Sequence, residues 1–208
     1  LRLSGPLRVV TGGLFAAFQR HLGRLMAYGS IAETGFSLLA LSLDSRLGVP
    51  ILFLMIPARA LGLAVWSLSL TVIKEHAPSL RFGMSRGMLR VAPFAGTGII
   101  LATLSVGTFP LLAGFPARLA LWEELARASL PSALWMGVGI IGLLTSAFRS
   151  LAVISMAEEY TSWEPRESFV QMLMLGLGVI GLFLLGLFPQ LMQFFLSNLP
   201  AMFEHLGQ

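Results

Sequence analysis

Four ionisable side chains lie inside apolar stretches of this sequence: Glu33, Arg59, Arg118 and Arg149. Such groups are costly to place in lipid, and in membrane segments they usually line a polar path or pair with one another. Arginine stays protonated in proteins, so it can organise water or hold a carboxylate but cannot carry a proton through turnover. Glu33 is therefore the group in this set that could carry a proton, and Arg118 is a fixed charge.

Glu33 lies in the middle of an apolar segment, GSIAETGF. Two interpretations stay open: a proton carrier in a hydrophilic path, or a structural ion pair that holds two helices together. Arg59 follows Pro57 in LMIPARALGL, where the proline frees a backbone carbonyl, and it is the expected partner because pairing would neutralise both charges. For Arg149 the expectation is a side chain that extends toward the lipid headgroups.

Arg118 follows a predicted break in a membrane-length apolar run, IILATLSVGTFPLLAGFPARLALWEE at residues 99–124. The interruptions are predicted between Thr108 and Pro116, at the TFP and GFP tripeptides, so the helix-break residues are Pro110, Gly114 and Pro116. A helix interrupted at membrane depth frees backbone groups that only protein or water can satisfy. Discontinuous helices of this kind hold ion sites in many transporters.

The composition is that of a membrane protein. Of the 208 residues, 56% are hydrophobic and 12% charged, and the mean hydropathy is +0.82, whereas soluble domains carry about 25% charged residues. The fourteen basic residues are scattered between apolar runs and form no patch, which argues against a nucleic-acid partner. Without cysteine, disulfides, Cys-ligated zinc and iron–sulfur clusters are excluded, and the three separated histidines predict no metal site.

The hydropathy pattern predicts an all-α, polytopic membrane helical bundle with about six transmembrane helices. The predicted segments are residues 1–19, 25–43, 49–73, 91–122 with the break, 133–157 and 169–196. The first is too short to span, so we expect the chain to be a piece of a longer protein.

Basic residues are unevenly divided between the two predicted sides. The first–second and third–fourth connections hold six of them: Arg20, Arg24, Lys74, Arg81, Arg86 and Arg90. The positive-inside rule places these connections in the cytoplasm. The acidic fifth–sixth connection falls on the same side, and a solvated loop is favoured there over a contact surface for a partner.

Two stretches carry a family resemblance. QRHLGRLMAYGSIAETGFSLLAL, at residues 19–41, resembles the signature Q-x-x-L-K-R-L-L-A-Y-S-S-I-A-H-x-G-Y, and SVGTFPLLAGFPARL, at residues 105–119, resembles S-L-A-G-I-P-P-L-A-G-F-F-G-K-F. Both belong to the antiporter-like proton-translocating subunits of respiratory complex I (NADH–quinone oxidoreductase), Mrp-type cation/proton antiporters and membrane-bound hydrogenases. FLMIPARALGLAVW and RFGMSRGMLRVAP are similar to segments of the N-type subunit, which the resemblance therefore favours.

The resemblance implies that residues 1–208 are equivalent to helices nine to fourteen of a fourteen-helix subunit, its second half. The implied function is a non-redox membrane subunit of a proton-pumping NADH–quinone oxidoreductase, an H⁺-transporting translocase, with no cofactor in this chain. Its implied partners are other membrane subunits, the lipid bilayer and protons. The implied location is a multi-pass position in a bacterial or archaeal inner membrane. Glu33, Arg118 and Arg59 would lie on the proton path.

The chain departs from the family pattern at its charged positions. Arg118 stands at the broken-helix lysine, Glu33 at the histidine of S-I-A-H, and Gly23 at the lysine of the K-R pair. Because arginine cannot release a proton, one alternative is a degenerate structural module that scaffolds the complex without pumping. A third alternative is an Mrp-type cation/proton antiporter subunit.

Overall fold

The computed structural model describes residues 4–156 and 163–191, and the regular elements in these residues are helical. The α-helices are α1 (Ser4–Phe18), α2 (Leu22–Leu41), α3 (Ser45–His76), α4 (Met88–Val91), α5 (Pro93–Val106), α6 (Gly114–Ala128), α7 (Leu130–Ser155) and α8 (Phe169–Leu187). A 3₁₀ turn, Phe82–Met84, precedes α4. The predicted all-α membrane bundle is confirmed.

The predicted segments correspond to α1, α2, α3, the pair α5 and α6, α7 and α8. Among the described residues, α3, α7 and α8 are long and apolar enough to cross a membrane, and α5 is a shorter apolar helix. Helix α8 ends at Leu187, earlier than the predicted end of the sixth segment. Residues 157 and 192–196, which the prediction included in the fifth and sixth segments, lie outside the described residues.

Glycines bring α1 very close to its two neighbours, α2 and α7. A Cβ on Gly12 would lie 2.7 Å from the backbone nitrogen of Ala32, and one on Gly13 would lie 2.7 Å from the Cα of Gly139. Neither position has room for a methyl group. Small residues at helix crossings allow this kind of backbone approach in membrane proteins, where van der Waals packing drives association.

The connection between α1 and α2 meets the one that follows α3. The Leu22 amide donates to the Leu80 carbonyl at 2.9 Å, and the Phe82 amide donates to the Arg20 carbonyl at 3.0 Å. His21 caps α2 by accepting a hydrogen bond from the Gly23 amide at 3.2 Å. These two connections therefore lie on one side of the bundle, as their shared basic character predicts, and we call it the basic side.

The segment before α8 also lies on the basic side. The Arg166 amide donates to the Val91 carbonyl at 2.9 Å, and the Gln171 side chain donates to Glu75 at 2.9 Å. Glu167 is buried, and its carboxylate accepts hydrogen bonds from the Phe94 amide at 3.0 Å and the Ala95 amide at 2.6 Å. The solvated loop was predicted over residues 158–167, of which 158–162 lie outside the described residues and 163–166 are exposed as expected. The prediction is wrong at Glu167, because its carboxylate binds the first amides of α5.

Candidate functional site

The predicted helix break is confirmed at residues 107–113, between α5 and α6. Thr108 and Leu111 adopt positive φ angles of 65° and 72°, a left-handed conformation that side chains with a Cβ rarely take. Pro110 lies between them. Non-glycine residues in this conformation cost about 1–3 kcal/mol each and persist only where their surroundings enforce it.

The break is one interruption rather than two. Gly114 is the first residue of α6 and Pro116 lies in its first turn, so the second predicted break point is the start of a helix. A proline is tolerated there because the first amides of a helix have no partner within the helix. Of the three predicted break residues, Pro110 lies within the interruption, and Gly114 and Pro116 begin the helix that follows it.

Ser105 joins the two sides of the break. Its hydroxyl accepts a hydrogen bond from the Gly114 amide at 3.1 Å, and its carbonyl accepts one from Arg118 Nη1 at 2.6 Å. A Cβ on Gly114 would overlap both that carbonyl and the Arg118 guanidinium. Glycine is therefore required at position 114 so that α6 can start against the end of α5 with the guanidinium between them.

Arg118 forms a buried ion pair with Glu33 on α2. Arg118 Nη2 donates to Glu33 Oε1, and the two side chains are only 4% and 2% exposed. The guanidinium carbon also lies 4.8 Å from the centre of the Phe36 ring, a distance at which a cation is attracted to an aromatic face. The break thus places a fixed positive charge against a carboxylate inside the bundle.

Arg59 does not pair with Glu33, and that expectation is wrong. Its Nη2 donates to the Thr34 hydroxyl at 3.2 Å, and its Nη1 lies 3.5 Å from the Ser37 hydroxyl. Thr34 lies about 100° around the helix from Glu33. Arg59 of α3 therefore binds the side of α2 that carries Thr34, whereas Arg118 of α6 is the cation that reaches Glu33.

Arg149 binds within the bundle instead of only extending toward headgroups. Its Nη1 donates to the Ala17 carbonyl, one of the last carbonyls of α1, and its guanidinium carbon lies 5.7 Å from the centre of the Phe82 ring. The last four carbonyls of a helix lack partners within it, and a cation stabilises them. Arg149 thereby ties α7 to the end of α1.

Four buried polar atoms have no hydrogen-bond partner among the described residues: Trp66 Nε1, Ser69 Oγ, Thr108 Oγ1 and Arg118 Nε. Trp66 and Ser69 are three residues apart and lie on one face of α3. Buried polar groups in proteins are normally satisfied, commonly by ordered water. The described part of the bundle therefore has buried polar atoms available to water, and two of them, on Thr108 and Arg118, lie at the break.

Two contacts of the described structure are not predicted by the sequence pattern. Ser105 opens the stretch that resembles the family segment at residues 105–119, but its bonds to Gly114 and Arg118 depend on where α6 begins. Glu167 caps a helix that starts 74 residues earlier, at Pro93. The neighbouring Ser168 and Gln171 do form a capping box at α8, whose S-x-x-Q spacing marks a helix start in sequence.

These features define an integral, polytopic membrane protein with a discontinuous helix and a buried ion pair at the break. The chain belongs to the family described as NADH:quinone oxidoreductase/Mrp antiporter, TM, whose model matches residues 1–148. It is of the N type, antiporter-like, as the sequence motifs predict.

Curated relatives agree with this assignment. The chain is 34% identical to "NADH-quinone oxidoreductase subunit 14" of Thermus thermophilus, a match that covers 92% of this chain and 44% of the relative. It is 30% identical to "NADH-quinone oxidoreductase subunit N 1" of Rhizobium meliloti, over 84% of this chain and 36% of the relative. The chain therefore spans less than half the length of these relatives.

Solved structures share the fold. A chain of respiratory complex I from Thermus thermophilus with bound NADH matches with a TM-score of 0.79 at 21% identity, over 89% of this chain and 39% of that one. A chain of the archaeal membrane-bound sulfane sulfur reductase matches with a TM-score of 0.81 at 20% identity, over 89% of this chain and 38% of that one.

Proposed function

We propose that this chain is the second half of a non-redox, N-type membrane subunit of a proton-pumping NADH–quinone oxidoreductase, and that Glu33 and Arg118 form part of its proton-translocation path. The observation that carries the proposal is the buried Glu33–Arg118 pair at the helix break of α5 and α6. The curated relatives are subunits of this oxidoreductase, which supports the assignment to the complex. Electron transfer would then take place in other subunits, with no redox cofactor in this chain.

The two members of the pair have different chemical roles. Arg118 keeps its proton, so Glu33 is the group that can gain and lose one. A proton that reaches Glu33 would neutralise the carboxylate and leave the Arg118 charge without its counterion. Burial makes such an unpaired charge costly. A change in charge elsewhere in the complex would act on this ion pair and alter whether Glu33 binds a proton. The pair would in this way couple proton transfer to distant events.

The route to the pair would run through the polar atoms of α3 and the break. Trp66 Nε1, Ser69 Oγ and Thr108 Oγ1 are buried and lack partners among the described residues. Polar atoms of this kind bind ordered water, and hydrogen-bonded water conducts protons between side chains. Arg59, which Thr34 and Ser37 hold on the neighbouring face of α2, would contribute a second fixed charge beside this route.

The basic side of the bundle is proposed to face the cytoplasm. The basic residues of the connections accumulate there, which the positive-inside rule associates with the cytoplasmic face. The curated relatives named here are bacterial, so we propose the inner membrane of a bacterium as the location. The partners would be the other membrane subunits of the complex.

A scaffolding role without proton transfer is the second candidate function. It is favoured by the replacement of the family lysine by Arg118, because an arginine paired with a carboxylate can be a purely structural contact. The two functions predict different results when Glu33 or Arg118 is substituted. The number of protons moved per electron changes if the pair is on the proton path, and it stays the same if the pair is only structural.

The test is the ratio of proton pumping to quinone reduction in membranes that contain the intact complex. We expect Glu33→Gln and Arg118→Ala to lower proton pumping at least several-fold while NADH–quinone reductase activity persists, and Arg118→Lys to retain more pumping than Arg118→Ala. Arg127→Ala is the matched control, because Arg127 is 75% exposed and lies on α6 like Arg118. An unchanged pumping ratio in both Glu33→Gln and Arg118→Ala, in a fully assembled complex, would support the scaffolding role.

A further inference from the structure

A groove runs beside the contact between α1 and α7, toward the basic side of the bundle. Its volume is about 550 Å³. Leu14 and Phe18 of α1 and Val138 and Ile141 of α7 form its apolar walls, and these four side chains are exposed. Exposed apolar walls of this kind suit contact with the acyl chain of a lipid.

Two arginines, Arg20 and Arg149, line the same groove. Arg20 is exposed in the connection that follows α1, and Arg149 is half-buried near the end of α7. The contacts of Arg149 with the Ala17 carbonyl and the Phe82 ring fix the position of its guanidinium, which has five N–H donors and so can bind more than one acceptor. No carboxylate lines the groove among the described residues.

We propose that this groove binds an anionic phospholipid of the leaflet on the basic side. The phosphate of the headgroup would be held by Arg20 and Arg149, and one acyl chain would lie along Leu14, Phe18, Val138 and Ile141. Basic pockets between transmembrane helices on the cytoplasmic side bind anionic headgroups. The proposal does not depend on proton translocation by this chain.

The charge of the lining favours an anionic lipid over a zwitterionic one. A second cavity, of about 940 Å³, lies on the opposite side of the bundle, and its charged lining residues are Asp44, Glu124 and Arg127. That mixture of charges gives no preference for an anion. The groove between α1 and α7 offers two cations against an apolar wall, which matches the phosphate and acyl chain of one lipid molecule.

The test uses the full-length subunit in its intact complex, in nanodiscs of phosphatidylcholine. Photoactivatable phosphatidylglycerol and photoactivatable phosphatidylcholine with the same acyl chains are compared, and the labelled peptides are mapped. We expect phosphatidylglycerol to label α1 and α7 around the groove about 25-fold more than phosphatidylcholine, which is about fivefold for each of the two arginines. Each arginine near a membrane surface contributes about a fivefold preference for anionic lipid, so Arg20→Gln should lower the labelling by about fivefold.

Two further variants separate charge from folding. Arg20→Lys keeps the charge and should retain the labelling within about twofold. Ile141→Trp places a larger side chain in the groove and should lower the labelling while leaving both arginines in place. Arg127→Gln on the opposite side should have no effect. Equal labelling by the two lipids, no loss in Arg20→Gln, or a groove covered by another segment of the full-length protein and therefore unlabelled would each overturn the proposal.

Discussion

Two regions of this bundle are held together by different means. Helices α2 and α7 each pack very closely against α1, and the backbones of Gly13 on α1 and Gly139 on α7 are in contact. Around the α5–α6 break, the contacts are polar: Ser105 joins the two helices and Arg118 is paired with Glu33. The first region depends on the absence of side chains, and the second depends on specific side chains at defined positions.

The difference shows how a membrane bundle can combine a rigid frame with a polar interior. Close backbone contact among apolar helices gains stability from packing and leaves little freedom of movement. A helix break exposes backbone groups, and each of them needs its own hydrogen-bond partner. Those partners are polar or charged side chains or water molecules. The stability of the region around the α5–α6 break should therefore depend most on each hydrogen-bond or ion-pair partner. The stability of the glycine region around α1 should depend most on the volume of the side chains there.

The largest effect is expected from Glu33→Ala. This variant leaves the buried Arg118 charge without its counterion, and breaking a buried pair in this way costs about 3–5 kcal/mol. The free energy of unfolding in mild detergent with increasing denaturant measures the loss. The matched control is the double variant Glu33→Leu with Arg118→Leu, which removes both charges and should recover most of the stability. If the single variant is as stable as the parent, the ion pair does not hold α2 against α6.

An intermediate effect is expected from Gly13→Ala in the glycine region. The new Cβ would lie 2.7 Å from the Cα of Gly139 and overlap its carbonyl, so α1 and α7 must separate. Overpacking of this kind typically costs about 1–3 kcal/mol. The same unfolding measurement detects it.

The control for that variant is Gly62→Ala on α3. A Cβ at Gly62 would meet no atom within 4 Å, and alanine stabilises a helix interior by about 0.5–1 kcal/mol relative to glycine. Opposite signs for the two variants are expected. A similar destabilisation in both would contradict the role of close backbone contact between α1 and α7.

The smallest effect is expected from Glu167→Ala, which removes the cap of α5. Loss of a helix cap costs about 0.5–2 kcal/mol, and its effect should be confined to the start of that helix. Amide hydrogen exchange at Phe94 and Ala95, whose amides donate to Glu167, should become faster. Glu164→Ala is the control, because its ion pair with Arg166 is largely exposed and worth little. Equal exchange rates in the two variants would show that the carboxylate does not stabilise α5.

The sequence predicted the parts of this fold that depend on local chemistry. Apolar runs gave the helices, because lipid and the bundle interior both require internally hydrogen-bonded backbone. Pro110 lies in the predicted break, where it removes a backbone donor. A proline alone does not end a helix, since Pro50 and Pro57 lie inside α3. The number of interruptions was overestimated at Pro116, because the pattern does not distinguish a proline that breaks a helix from one that begins it.

What the sequence determined by itself was the membrane class, the broken helix, the presence of buried charges and the family. The tertiary structure alone decided which charges meet: Arg118 rather than Arg59 binds Glu33, and Glu167 binds the start of α5. The physical reason is that hydropathy and helix-breaking residues act over a few positions of the chain. An ion pair depends on which faces of two helices touch, and a rotation of one residue, about 100°, exchanges one partner for another.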